Sequence, residues 1–260
     1  MRRLTGRYFG PCIRVRRDSD NATTDIGFTV SGDLNVAGLL AFTGGASGFV
    51  ATWYDQMDAA PLMRDIPEAQ PQIVRSGVLL TMPTSRNRPV ISTNGGIDSA
   101  GGQDMATATP AASLTFEQPF ARSSVVTFEE PVGSEFFPIL LESNNSPVEL
   151  YETATGAYAM YAYDVDRFSA IIGITPGRSG VILEYYNRTD SWCLFNGVKR
   201  QGSVGAGGLG SNFLGIGGYG WLSGVRNIAA LYGEVSVFPE GLSEADQNLL
   251  TADQKTYWGT

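Results

Sequence analysis

Gly180-Val181-Ile182-Leu183-Glu184-Tyr185-Tyr186 and Ser191-Trp192-Cys193-Leu194-Phe195-Asn196-Gly197-Val198 are two apolar, aromatic-rich runs of strand length, separated by the polar residues 187–190. Asn-Gly is the strongest short hairpin signal, because both of its residues tolerate the positive φ angles of a tight turn. The chain therefore reverses between Phe195 and Val198. Runs of the same kind precede this hairpin at Ser123–Phe128, Phe136–Glu142, Val148–Glu152, Ala157–Tyr163 and Phe168–Ile174. Others follow at Leu214–Gly217 and Asn227–Phe238. Nearer the start, residues 10–17, Phe49–Tyr54, Ile73–Leu80 and Pro89–Ser92 read as strands, Phe49–Tyr54 as one buried on both faces, and residues 93–113 as a long surface loop. Many short strands with turn residues between them predict an all-β, two-sheet β-sandwich.

Two helices interrupt the pattern. Asp33 is placed to cap a short helix carrying Leu34, Leu39, Leu40 and Phe42, stopped by Gly44-Gly45. Ser243-Glu244-Ala245-Asp246 forms a capping box ahead of Leu249 and Leu250, and Gly259 ends that C-terminal helix.

Composition removes several function classes. The 260 residues contain no histidine and two cysteines. Histidine-based triads, imidazole acid–base chemistry and thiolate zinc cages are thereby excluded. The formal charge is −8. Arg2, Arg3, Arg7, Arg14, Arg16 and Arg17 stand against Asp18 and Asp20 in residues 1–20, which are therefore +4, while residues 21–260 are −12. An acidic body of this kind repels a phosphate backbone, so no nucleic-acid partner is expected. No run approaches the roughly 20 apolar residues of a membrane span, so no membrane insertion is expected. No aspartate-rich calcium loop is present, and Gly215-x-Gly217-Gly218 precedes no helix, so neither a metal nor a dinucleotide cofactor is expected.

Two stretches carry a resemblance. Gly10-Pro11-Cys12-Ile13-Arg14-Val15-Arg16-Arg17-Asp18-Ser19-Asp20-Asn21, with Asp25-Ile26-Gly27-Phe28 and Trp53-Tyr54-Asp55-Gln56, resembles the opening of the catalytic β-sandwich of α-L-arabinofuranosidases, and more closely that of phage virion proteins sharing this opening. Gln70–Val74 and Asn87-Arg88-Pro89-Val90 fit the phage pattern. Phe195-Asn196-Gly197-Val198, Gly233–Phe238 and Leu242–Asp246 are similar to the end of laminin-G-like, concanavalin A-like jelly rolls. The resemblance implies a concanavalin A-like sandwich over residues 10–260, preceded by a basic arm at residues 1–9. It also implies a non-enzymatic phage structural protein, made in the host cytoplasm and displayed on the virion as head decoration, head fibre or tail part. Its partners would be other virion proteins, further copies of itself and surface glycans. The alternative is a glycoside hydrolase related to the arabinofuranosidases.

The site expectations are specific. Asp55 shares strand parity with Phe49, Ala51 and Trp53, so it is expected to turn inward and pair with Arg14 or Arg16. Arg2, Arg3 and Arg7 are expected to contact a partner subunit. Tyr219 and Trp221, among glycines, are the candidate sugar-stacking rings. No catalytic residue is expected; Glu142, Glu152 and Glu184, on predicted strands, are the plausible donors that a hydrolase would use.

Overall fold

In a computed structural model of the chain, the Asn196-Gly197 hairpin forms with φ of 47° and 95° at its two turn residues. The structure describes residues 1–57, 60–93, 103–107, 117–128, 177–205, 214–217 and 228–260. It also describes the strands at 136–142, 148–152, 157–161 and 167–170 as backbone, together with the Met160 side chain. In chain order the first strands are β1 (Ile13–Arg17), β2 (Thr23–Ile26), β3 (Gly48–Trp53), β4 (Leu62–Met63), β5 (Gln72–Arg75), β6 (Val78–Leu79), β7 (Ile91–Thr93), β8 (Met105–Thr107) and β9 (Phe120–Phe128). Then come β10 (Phe136–Glu142), β11 (Val148–Glu152), β12 (Ala157–Tyr161), β13 (Arg167–Ala170), β14 (Gly180–Tyr186), β15 (Ser191–Phe195), β16 (Val198–Gly202), β17 (Leu214–Ile216) and β18 (Ala230–Phe238). The helices are α1 (Val36–Thr43) and α2 (Glu244–Trp258).

The pairings are antiparallel and branch at β3. One side of β3 pairs with β1, which carries β2 on its far edge. The other side pairs with β5 through Gly48 and Phe49, and with β4 through Thr52 and Trp53. From β5 one arm runs through β7, β18, β9, β14, β15 and β16. From β4 the other runs through β8, β17, β10, β11, β12 and β13. Val126, Ile182 and Tyr232 of the first arm share one core cluster with Met160 and Ile216 of the second. The two arms therefore face each other as the layers of an all-β sandwich.

A second, smaller core lies on the outer face of the first arm, where Met82, Val90, Val125 and Val181 pack under Trp258 of α2. Strand parity separates the two cores: Phe120 and Val126 point between the layers, whereas Val125 points toward α2. In β18 the register shifts between Tyr232 and Glu234, a β-bulge at Gly233. Tyr232 belongs to the inner core; after the bulge Glu234 lies on the α2 side, and Val235 and Val237 return to the inner one. Without the extra residue Glu234 would share the inward parity of Tyr232. A Cβ on Gly233 would run into the Trp258 ring, so only glycine lets α2 approach this closely.

Three local expectations change. The cap of α1 is Asn35, whose Oδ1 accepts from the Gly38 amide at 3.0 Å, while Asp33 bonds Arg88 at 3.0 Å. The region read as a loop contains the buried strand β8. β3 is buried on one face only, at Gly48 and Val50. The C-terminal helix forms as read: Ser243 Oγ accepts from the Asp246 amide at 3.2 Å, and Gly259 closes it at φ 73°. Cys12 and Cys193 are buried and form no disulfide.

Residues 1–9 also depart from expectation. Met1 is 1% exposed, and Arg2 makes an isolated bridge to Asp33. The first residues of the segment pack against their own chain, where Arg2 finds carboxylates, while Leu4, Arg7 and Phe9 are exposed.

Candidate functional site

A cleft of about 730 Å³ runs along β18 from the edge of the inner core, at Leu62, Val235 and Val237, to α2. Its walls are the first five residues, the turn after β3, strand β18 and one face of α2. That volume falls within the roughly 300–1,000 Å³ of small-molecule sites.

The Trp53-Tyr54-Asp55-Gln56 motif builds one wall. Trp53 ends β3 and lines the cleft. Tyr54 follows it on the same wall, and its hydroxyl donates to Asp25 Oδ1 at 3.0 Å. Asp55 caps the following turn: Oδ1 accepts from the Met57 amide at 2.8 Å and Oδ2 from the Ala60 amide at 2.9 Å. The Gln56 amide works as a substitute strand partner. Its Oε1 accepts from Leu4 N at 2.6 Å, and its Nε2 donates to the Arg2 carbonyl at 2.9 Å. Gln56 thus holds residues 2–4 on one side, while backbone bonds to Gly32 and Leu34 hold residues 1–3 on the other.

Arg2 reaches across the cleft to two carboxylates. Its Nε donates to Glu234 Oε2 at 3.1 Å, and its Nη2 to Asp253 Oδ2. Glu234 is almost wholly buried, and three donors converge on it: Arg2, Gln254 Nε2 at 2.9 Å and Trp258 Nε1 at 3.2 Å. Asp253 is 61% exposed at the mouth. Leu250, Asp253, Gln254, Tyr257 and Trp258 follow i, i+3, i+4, i+7, i+8 spacing, so one face of α2 supplies these contacts. Tyr257 packs behind Arg2. Its ring lies 4.6 Å from the Arg2 guanidinium and 4.1 Å from that of Arg88. Its hydroxyl lies 2.8 Å from Asp33 Oδ1 and 2.9 Å from the Met1 carbonyl. Burial, then the hydrogen bond to Asp33, push this phenol well above its ordinary pKa.

The expected ion pair does not form. Arg14 is bidentate to Asp25, at 2.8 and 3.0 Å. Arg16 donates to Gln70 at 2.7 Å, Asn21 at 2.9 Å and the Pro67 carbonyl at 2.9 Å. The physical reason is parity. Ile13 and Val15 take the core side of β1, so Arg14 and Arg16 lie on the outer side, whereas the register shift at Ala51 sets Trp53 opposite Ile13 on the core side. Asp55 also falls past the end of β3 and spends its oxygens on the turn.

Of the strand carboxylates, Glu184 is fully buried between the layers and held by Arg122 at 2.7 and 2.9 Å. The Tyr186 hydroxyl donates to it at 3.1 Å. This group faces no cleft. Glu142 and Glu152 lie on β10 and β11, where side chains are outside the described residues, and Tyr219 and Trp221 fall outside them altogether. Arg2 and Arg3 line the cleft, whereas Arg7 is exposed and does not. Glu234 and Asp253 were not among the expected site residues. Two signals pointed to them: the glycine inside an apolar strand just before Glu234, and Gln254 at a core-facing helix position.

No family model matches the chain, and no curated protein matches it by sequence. Solved structures do. An arabinofuranosidase complexed with arabinofuranosyl-α-1,2-xylobiose superposes with a TM-score of 0.67 at 11% identity, over 99% of this chain and 61% of the other. A GH54 α-L-arabinofuranosidase soaked with a cyclic sulfate inhibitor gives 0.68 at 12%, over the same 99% and 61%. The receptor-binding domain of a botulinum neurotoxin mosaic of serotype C/D gives 0.51 at 12%, over 96% and 54%. The chain thus spans 61% of the length of the arabinofuranosidases it resembles. The likeness establishes a β-sandwich of the type these proteins use. It also overturns the expectation of a non-enzymatic chain, because the structures matched along 99% of its length are glycoside hydrolases.

Proposed function

We propose that the chain is a glycoside hydrolase acting on α-L-arabinofuranosides at the cleft between Arg2, Trp53 and α2. One observation carries the reading: Glu234 and Asp253 converge on a single guanidinium inside a cleft of sugar size. Cleaving a glycosidic bond takes two carboxyl groups flanking it and passes through an oxocarbenium-like transition state. Asp253 stands in contact with water and serves as the proton-transfer group. Glu234, fixed by three donors, faces the developing positive charge. Trp53 offers an apolar ring to a sugar face. The likeness to arabinofuranosidase structures supports this choice of substrate class.

The setting implied by the Gly10–Asn21 motif is a phage particle, with other virion proteins and further copies as neighbours. Many copies on one particle would raise a weak sugar affinity through avidity. Mass spectrometry of purified particles tests the setting.

The activity is read as release of 4-nitrophenol from 4-nitrophenyl α-L-arabinofuranoside. Wild type should release it. Asp253→Asn should lose at least ~100-fold in rate, the low end of what a positioned proton donor contributes. Its melting temperature should hold, since Asp253 is 61% exposed. No release by wild type, or an unchanged rate in Asp253→Asn, overturns the reading.

A further inference from the structure

A second pocket, of about 340 Å³, lies on the other side of Arg3 from the cleft. Aromatic rings make up much of its wall. Tyr8 and Phe28 meet edge to face at 6.3 Å between centroids, and the Tyr8 hydroxyl donates to the Pro11 carbonyl at 2.8 Å. Phe9 stands beside them with its ring 87% exposed. A phenyl ring so exposed adds nothing to the core, yet it lines the rim of a formed cavity. The backbone is shaped to keep that cavity. A Cβ on Gly10 would press into the Tyr8 ring, while one on Gly27 would meet nothing within 4 Å.

The charge beside these rings is positive and uncompensated. The Arg3 guanidinium lies 5.5 Å from the Phe28 ring centroid and gives one hydrogen bond, from Nη2 to the Thr29 carbonyl at 3.2 Å. Its Nε has no acceptor, and among the described residues it forms no ion pair. Arg7, next to Tyr8, is exposed and also pairs with no carboxylate among those residues. Most of the other arginines in residues 1–20 have a carboxylate or several polar partners, so Arg3 and Arg7 are the exceptions in a protein of net charge −8.

We infer that this pocket is a binding site for a carboxylated sugar residue, a uronic acid. The sugar's apolar face stacks on Phe9 and Phe28, and its carboxylate approaches Arg3, whose planar fork matches that group. The site is separate from the Glu234 cleft and needs no hydrolysis to act.

The probes are methyl β-D-glucuronide and its neutral counterpart methyl β-D-glucoside, titrated into the intact protein by NMR. The glucuronide should bind at least tenfold tighter than the glucoside. Phe9→Ala should weaken glucuronide binding at least tenfold with an unchanged melting temperature. Gly27→Leu, which enters open space, should fill the pocket and abolish binding. Equal affinity for the two glycosides, binding that survives Gly27→Leu, or no glucuronide binding at 10 mM would each overturn the inference. Arabinofuranoside turnover is read separately, so either proposal can fail while the other stands.

Discussion

Glu184 and Glu234 are both buried glutamates on strands that flank β9, yet they lie on opposite faces of the same layer. Glu184 sits opposite Arg122 in the β9–β14 register, so the sheet supplies its partner directly. Arg122, Glu184 and Tyr186 then close into a fully buried cluster. Glu234 takes its partners from the two far ends of the chain, Arg2 on one side and Gln254 and Trp258 on the other. Partners that arrive from the ends leave a seam between them, and the seam is the cleft. A buried carboxylate satisfied within its own sheet is sealed, whereas one satisfied by docked segments borders accessible space.

The largest effect should follow from breaking the sealed pair. Glu184→Ala strands a buried guanidinium and should cost about 3–5 kcal/mol, read as a large fall in the urea midpoint. A near-native midpoint would show that water reaches Arg122. Arg2→Ala sharpens the contrast. It removes one charged hydrogen bond from Glu234 but leaves Gln254 and Trp258 in place, so about 2 kcal/mol is expected. A loss equal to that of Glu184→Ala would erase the distinction between the faces. The smallest effect belongs to the exposed pair. Arg14→Ala should change stability at pH 7 by less than about 1 kcal/mol, since solvent screens both groups. Its pH dependence has a definite sign. The hydrogen bond from Arg14 holds Asp25 below the usual carboxylate range. A depressed value stabilises the fold above the unfolded pKa of about 3.9, and that share is lost as pH falls through the folded value. The gap between wild type and Arg14→Ala, measured by thermal melts from pH 7 downward, should therefore close in acid.

Elements governed by neighbours in sequence were legible. The Asn196-Gly197 hairpin, the Ser243 cap and the end of α2 at Gly259 are decided within a few residues. Contacts governed by parity were half legible. The alternation of β1 and β3 could be read, but which face met the core depended on pairings with β2, β4 and β5 that no local pattern encodes. The cleft was the least legible, because it joins Arg2, Gln56, Glu234 and Asp253, and its decisive step is the Gly233 bulge that moves one glutamate across the sheet. Arg2 was legible as charge, but its carboxylate partners lie more than 200 residues away.

The Gln56 clamp also sets an order of events during synthesis. Residues 2–4 can pair with Gln56 early, but Arg2 has neither carboxylate until Glu234 and Asp253 have been made, 232 and 251 residues later. At the roughly 5–20 residues per second of a translating ribosome, that is a wait of about 10–50 s. Residues 2–4 are thus made well before the charge of Arg2 is matched. A nascent chain stalled before α2 would carry a tethered but unlatched beginning, with Trp53 and the Gly233 bulge uncovered for a chaperone or a protease to find.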